Sequence, residues 1–242
     1  MQSRNNSRGR LDGKVVLISG GASAPGNLCA GQMIREGATV IAGDDSYTIS
    51  TESAEFSIRT VNTIHLDVTL ERSWQTAFDL TLQVFGRVDV LVNAAGVSFT
   101  DDTLEECTAD TWERTLAINL DGTFLGCGHA VRAMRPSRRG SIINIASILG
   151  LIANGTSIAY TATMAGVRLL TRSVALHCAK ERNNIRCNSI CPQSAHLPQG
   201  TPETADVPIA PDIGGLAIYL ASDISGACTG ADFVVDNGFT AA

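Results

Sequence analysis

Lysine is almost missing from this chain. Only Lys14 and Lys180 are lysines, and the other 16 of its 18 basic residues are arginines. Any chemistry that needs a primary ammonium therefore has two candidates. Long hydrophobic runs are missing as well. The longest apolar stretches, such as Val15-Val16-Leu17-Ile18, are strand-sized and far short of the ~20 residues that cross a bilayer. The opening MQSRNNSRGR carries three arginines, and no apolar region follows it that would make a signal peptide. Residues 1–10 read as a polar tail, and the expected setting is the cytoplasm, away from any membrane. There is no CxxC pair, and Cys187 and Cys191 lack a histidine at zinc-finger spacing. Seven cysteines, an odd number, read as buried free thiols rather than a disulfide frame, and no metal site is expected. Positive charge is in deficit: 24 acidic residues against 18 basic ones leave −6 and a pI near 5.2. That argues against a nucleic-acid partner, which needs a basic face. A composition break is absent too, so residues 11–242 are expected to form one domain.

What is present is alternation. Short β-branched runs at Lys14–Ser19, Thr39–Gly43, Thr63–Asp67, Val88–Asn93, Ser141–Ala146, Arg186–Ile190 and Asp232–Val235 read as strands. Each is continuous, as suits strands covered on both faces. Helical stretches lie between them. Thr69 is a candidate cap for a helix that presents Trp74, Phe78, Leu82 and Phe85 on one face before Gly86 stops it. Thr108–Met134, Ser157–Ala179 and Asp212–Leu220 read as three more. Strand–helix alternation implies parallel strands joined by right-handed crossovers, hence an α/β, Rossmann-like, doubly wound parallel sheet flanked by helices.

The first strand runs into Ser19-Gly20-Gly21-Ala22-Ser23-Ala24-Pro25-Gly26 and then a helix. A glycine-rich turn there lets backbone approach a pyrophosphate at the helix N-terminus. Asp44 ends the second strand 18 residues after Gly26, where a carboxylate accepts hydrogen bonds from an adenosine ribose and repels a 2′-phosphate. A tight structural turn is the other reading of the glycines alone.

From here the chain resembles the short-chain dehydrogenase/reductase family, from Leu11 to Gly238. The resemblance is carried by SGGASAPG at 19–26, LDV at 66–68, VNAAG at 92–96, INLDG at 118–122 and INIAS at 143–147. It continues with Tyr160 thirteen residues after Ser147, RCNSICP at 186–192 and FVVDNG at 233–238. The closest flavour is that of bacterial hydroxysteroid and secondary-alcohol dehydrogenases. The resemblance implies hydride exchange between NAD(P) and a carbonyl or alcohol, and a homo-tetramer or homo-dimer built on the two long helices. It implies that Gly20, Ser23, Gly26 and Asp44 bind the cofactor. Asp67 and Val68 would flank the adenine, and Asn93, Ala94 and Gly96 would line the site. Asn119 would hold a structural water, Ser147 would polarise the substrate oxygen, and Tyr160 would be the general acid/base. A pocket for a small apolar substrate is implied around Leu149, Leu151, Gln193, His196 and Leu197.

The family pattern then asks for a lysine four residues after the tyrosine, and the chain has Met164. Positions i and i+4 share a helix face. The lysine's charge brings a tyrosine pKa down from about 10 toward working pH. Arg168, two turns on from Tyr160, lies roughly 12 Å away along the axis. Ala24 replaces a glycine of the phosphate turn, and Pro25 has no N–H to offer. Gln193 and Leu197 depart from the glycine and threonine of the family pattern. Residues 194–210, the family's substrate lid, are short and hold Pro198, Pro202 and Pro208.

Two readings follow. One is an NAD(H)-preferring oxidoreductase acting on a secondary alcohol or ketone of an apolar small molecule. The other keeps Ser147 and Tyr160 for a redox-neutral reaction, as a cyclase, isomerase, dehydratase or lyase, a case that the halohydrin dehalogenases resemble, or makes the chain a non-catalytic subunit. The arginines at 132, 135, 138 and 139 read as complements of a helix C-terminus.

Overall fold

The computed structural model of the chain describes residues 9–47, 57–99, 103–153, 155–193 and 210–241. Seven strands form one parallel sheet in the order β3-β2-β1-β4-β5-β6-β7. They are β1 (Val15–Ser19), β2 (Thr39–Asp44), β3 (Val61–His65), β4 (Val90–Asn93), β5 (Gly140–Ile145), β6 (Ile185–Pro192) and β7 (Asp232–Val235). All pairings are parallel, from Val16 opposite Val90 in the centre to Ser189 opposite Asp232 at the edge. The strand order reverses between β1 and β4, which opens a crevice at their carboxyl ends where ligands of such sheets bind.

The pleat explains why both faces are apolar. Val15 and Leu17 of β1 enter one core with Trp74 and Phe78, under α2 (Glu71–Phe85). Val16 and Ile18 enter the other with Cys29 and Met33 of α1 (Ala24–Arg35) and Ile218 of α6 (Ala210–Ala221). Period-2 alternation thus puts neighbouring residues of one strand into different cores, and every β1 side chain is buried. β3 differs from the expectation of a continuous run. It begins two residues early and alternates, with Asn62 and Ile64 buried while Val61 and His65 are exposed. It is an edge strand, so one of its faces meets water.

The stretch expected as one helix from Thr108 is interrupted without being broken. α3 (Ala109–Leu116) runs through a π-helical segment, Ala117–Asp121, into α4 (Gly122–Met134). Thr108 caps it, accepting the Thr111 N–H at 3.1 Å. Thr69 does not cap α2. It turns back on Asp67, whose Oδ1 accepts both its N–H and its hydroxyl, and the cap position falls to Leu70 with no side-chain bond. Gly86 does end α2, in the left-handed region at φ 72°. α5 (Ile158–Lys180) follows a short 3-10 turn at Ile148–Gly150. Arg10, placed in the polar tail, is fastened to Glu36 by its backbone N–H and its guanidinium, each at 2.8 Å. No helix among the described residues is long and apolar enough to cross a membrane, and none of their His, Cys, Asp and Glu groups is clustered to hold a metal ion.

Candidate active site

The glycine turn is built for close packing. Gly20 has φ 70°, and a Cβ there would overlap the backbone of Ala94 and Ala95 beyond β4. A Cβ on Gly26 would overlap the Gly20 carbonyl. Both glycines let the start of α1 sit against the strands, which is where a dinucleotide phosphate would come. Ser23 caps α1: its Oγ accepts the Gly26 N–H at 3.1 Å and donates to the Gly20 carbonyl at 2.6 Å. With Pro25 in the first turn, two of the helix's leading positions have no free N–H to present.

Asp44 stands at the carboxyl end of β2 facing this turn. Its Oδ2 accepts the Ala22 N–H at 3.0 Å, and its Oδ1 accepts the Ser46 N–H and hydroxyl at 3.0 and 2.6 Å. Burial alone would raise its pKa. The bonds from the Ser46 hydroxyl and the Ala22 and Ser46 amides outweigh burial and hold the carboxyl below the usual range, so it is ionised at neutral pH. Asp67 uses one carboxylate oxygen on Thr69. Val68 buries its side chain in the core, and its carbonyl accepts the Trp74 indole N–H at 3.0 Å. Gly96 is exposed, while Asn93 turns inward and donates to Asn144 Oδ1 at 2.8 Å within the sheet.

Asn119 lies in the π-helical segment, a local geometry frequent at functional sites. Its Oδ1 accepts the Val97 N–H at 2.8 Å, and its Nδ2 donates to the Val97 carbonyl at 3.0 Å and to Thr163 Oγ1 at 3.1 Å. Thr163 in turn donates to the Tyr160 carbonyl at 2.7 Å. Asn119 therefore ties the strand end beyond β4 to the first turns of α5. Sequence reading did not single out Thr163. Its spacing of three from Tyr160, on one helix face, was the available signal.

Ser147 ends β5's excursion and is fully buried, its Oγ accepting the Leu149 N–H at 3.2 Å. The turn after it presses on α5, where a Cβ on Gly150 would overlap the backbone of Met164 and Ala165. Ser147 and Tyr160 thus sit on two elements packed against each other at the carboxyl end of the sheet. Leu149 is buried and Leu151 is partly exposed. Gln193 is buried at the end of β6. His196 and Leu197 lie outside the described residues, as does nearly all of the expected lid.

Met164 is buried with Ala146, Val167 and Cys191, and Tyr160 packs against the same cluster. Among the described residues, neither lysine nor Arg168 takes the place of the missing lysine. Lys14 is paired with Asp223 at 2.8 Å, before β1 at the opposite end of the strands, and Lys180 closes the far end of α5. Arg168 is committed elsewhere, to Asp232 by Nε at 3.1 Å and Nη2 at 2.7 Å and to the Gly150 carbonyl by Nη1. The site fits the adenosine half of a nicotinamide dinucleotide through Asp44 and the glycine turn. Its nicotinamide half has the serine and tyrosine but lacks the ammonium.

Comparison with known proteins agrees with this geometry. The sequence model of the family described as enoyl-(acyl carrier protein) reductase matches residues 20–240. The 3-alpha-(or 20-beta)-hydroxysteroid dehydrogenase of Mycobacterium tuberculosis (strain ATCC 25618 / H37Rv) is 40% identical, over 96% of this chain and 92% of its own. An NADP-dependent (R)-specific alcohol dehydrogenase of Lentilactobacillus kefiri is 34% identical over 96% and 98%. A cyclopentanol dehydrogenase of Comamonas testosteroni is 33% identical over 96% and 99%. The crystal structure of gox2181 superposes with a TM-score of 0.84 at 30% identity, covering 96% of this chain and 98% of that one. The chain belongs to the short-chain dehydrogenase/reductase family.

Proposed function

We propose that this protein is an NAD(H)-preferring oxidoreductase that interconverts a secondary alcohol and a ketone on an apolar small molecule. The observation that carries the reading is the ionised Asp44 at the end of β2, bonded to the glycine turn. A carboxylate there accepts hydrogen bonds from ribose hydroxyls and repels a 2′-phosphate. The relatives' names, a hydroxysteroid and cyclopentanol dehydrogenase among them, support a ring-borne secondary alcohol as the substrate class.

Gly20, Ser23, Gly26 and Asp44 would hold the dinucleotide, with Asp67, Val68 and Gly96 beside it. The cofactor, when bound, supplies the acceptor or donor of hydride. Ser147 fixes the substrate oxygen by hydrogen bonding. Tyr160 moves the proton, taking it from the alcohol hydroxyl or returning it to the carbonyl oxygen. Asn119 and Thr163 position the helix turn that carries Tyr160. Leu149 and Leu151 would supply apolar surface, with Gln193 buried beyond the end of β6. Met164 gives the phenol an apolar neighbour where the family pattern has an ammonium.

The substrate side is tested by following NADH formation from NAD+ with cyclic secondary alcohols. Asp44→Ala tests the cofactor side. The ratio of kcat/KM for NAD+ over NADP+ should fall at least tenfold, about 1.4 kcal/mol, because the repulsion of the 2′-phosphate is gone. An unchanged ratio would remove the basis for the NAD preference.

The apolar burial of Met164 and the capped start of α1 favour one second reading. In it the scaffold runs a redox-neutral reaction with Ser147 and Tyr160 as donors. Phe124 of α4 with Leu169 and Leu176 of α5 are large, apolar and exposed, which supports association of these helices in a homo-tetramer or homo-dimer. Seven free thiols, five of them buried, suit a reducing compartment such as the cytoplasm.

A further inference from the structure

At the amino ends of β1, β4, β5 and β6, on the side of the sheet opposite Ser147 and Tyr160, a cleft of about 710 Å³ opens. Strands of this length put it roughly 20 Å from the reacting groups. Five cationic side chains line it, Lys14, Arg138, Arg139, Arg182 and Arg186, against two carboxylates, Asp89 and Asp223. In a chain of net charge −6 this is a local inversion of sign.

The carboxylates do not neutralise it. Asp89 is already satisfied by Arg87 and by the Val15 N–H at 2.9 Å. Asp223 is shared between Lys14 at 2.8 Å and Arg139 at 3.2 Å. Arg186 spends its guanidinium on the carbonyls of Leu220, Ser222 and Cys228. Arg138 donates to the Arg182 carbonyl at 2.9 Å. Arg186 also feels the charge of Asp223, while among the described residues Arg138 and Arg182 have no carboxylate in ion-pair contact. The expected role of Arg138 and Arg139, complementing the end of α4, is not what they do. Ser137 Oγ caps that end by donating to the Met134 carbonyl at 2.8 Å, while both arginines reach across to other elements.

The backbone is shaped for this placement. Arg138 and Arg182 at φ 50° and Asn184 at φ 59° are left-handed, a conformation a non-glycine residue adopts at a cost, and all three line the cleft. Four of the five cations are arginines, whose planar forks bind phosphate oxygens in pairs. Among the described residues no aromatic side chain lines the cleft, so none of them stacks on a base there. We propose that this cleft binds a small molecule through two or more phosphate groups, held by Arg138, Arg182 and their cationic neighbours. The volume is that of a small-molecule pocket rather than of a groove for a polymer.

The test is calorimetric titration of the full-length protein with inorganic pyrophosphate, with orthophosphate as the comparison. One site should be seen, binding pyrophosphate at least tenfold more tightly than orthophosphate. The doubly substituted Arg138→Asn/Arg182→Asn chain should lose at least tenfold in affinity. Asparagine tolerates the left-handed backbone at both positions, so the fold should be kept, as a circular dichroism melt would verify. Arg72→Gln/Arg132→Gln removes the same charge outside the cleft and should leave the affinity within twofold. Absence of heat at millimolar pyrophosphate would overturn the proposal. So would equal affinity for orthophosphate. Equal loss in both double variants would reduce the effect to net charge, and no loss in either would move the anion to the glycine turn.

Discussion

Tyr160→Phe is expected to lower turnover by about 10²–10⁴-fold while leaving the affinity for NADH unchanged, because general acid–base groups contribute on that scale. The phenol oxygen is the only atom removed. The backbone around it stays fixed, since Thr163 bonds the Tyr160 carbonyl and Asn119 bonds Thr163. The ring keeps its packing against Ala146, Met164 and Cys191. A steady-state assay with a cyclic secondary alcohol, paired with fluorescence titration of NADH, separates the two quantities. Loss of turnover with binding intact assigns proton transfer to Tyr160. Retained turnover would place the acid/base elsewhere and defeat the mechanism.

Met164→Lys should act in the opposite direction. At neutral pH, alcohol oxidation is expected to rise by about tenfold or more, and the rising limb of the pH–rate profile to move at least one unit toward acid. The sign follows from electrostatics: a cation beside a phenol favours phenolate, and each unit of pKa multiplies the basic form tenfold at a pH below it. Met164 and Tyr160 share one cluster, one helical turn apart, so an ammonium at 164 has the phenol for a neighbour. The cost is in stability. The site is 4% exposed and apolar, and a charge placed there lowers the melting temperature unless its head reaches the crevice at the carboxyl ends of the strands. Met164→Leu, a volume-conserving exchange, leaves the profile where it is. An unmoved profile in the lysine variant, with the fold intact by circular dichroism, would mean that Tyr160 does not limit the rate by its ionisation.

Much of this was legible in the residues. The seven strands announce themselves because most are covered on both faces, so their apolar runs are unbroken, as in Val15–Ser19. β3 was mislocated by two residues because an edge strand mixes exposed and buried positions, and Asn62 is buried there by bonding the carbonyls of Val40 and Ser57 rather than by being apolar. The π-helical turn at Asn119 has no periodic signature, since it adds one residue to a helix whose apolar face simply continues. Thr69 looked like a cap by type and position, but Asp67 two residues earlier competes for it. At the site, the glycines and Asp44 were readable because the turn tolerates few residue types. The link from Asn119 through Thr163 to Tyr160 was not, as it joins residues 44 positions apart. The arginines beyond α4 were misread for the same reason. Their partners, the Arg182 carbonyl and Asp223, lie 44 and 84 residues away.

The central claim, that this is an NAD(H)-preferring oxidoreductase despite Met164, Ala24 and Pro25, is tested most directly by titrating the purified protein with NADH and NADPH by calorimetry and fluorescence. Micromolar binding of NADH, with NADPH at least tenfold weaker, is the predicted result: Asp44 still selects, and the capped turn still accepts a pyrophosphate. Failure of either dinucleotide to bind at millimolar concentration would contradict the claim and turn attention to redox-neutral chemistry at Ser147 and Tyr160.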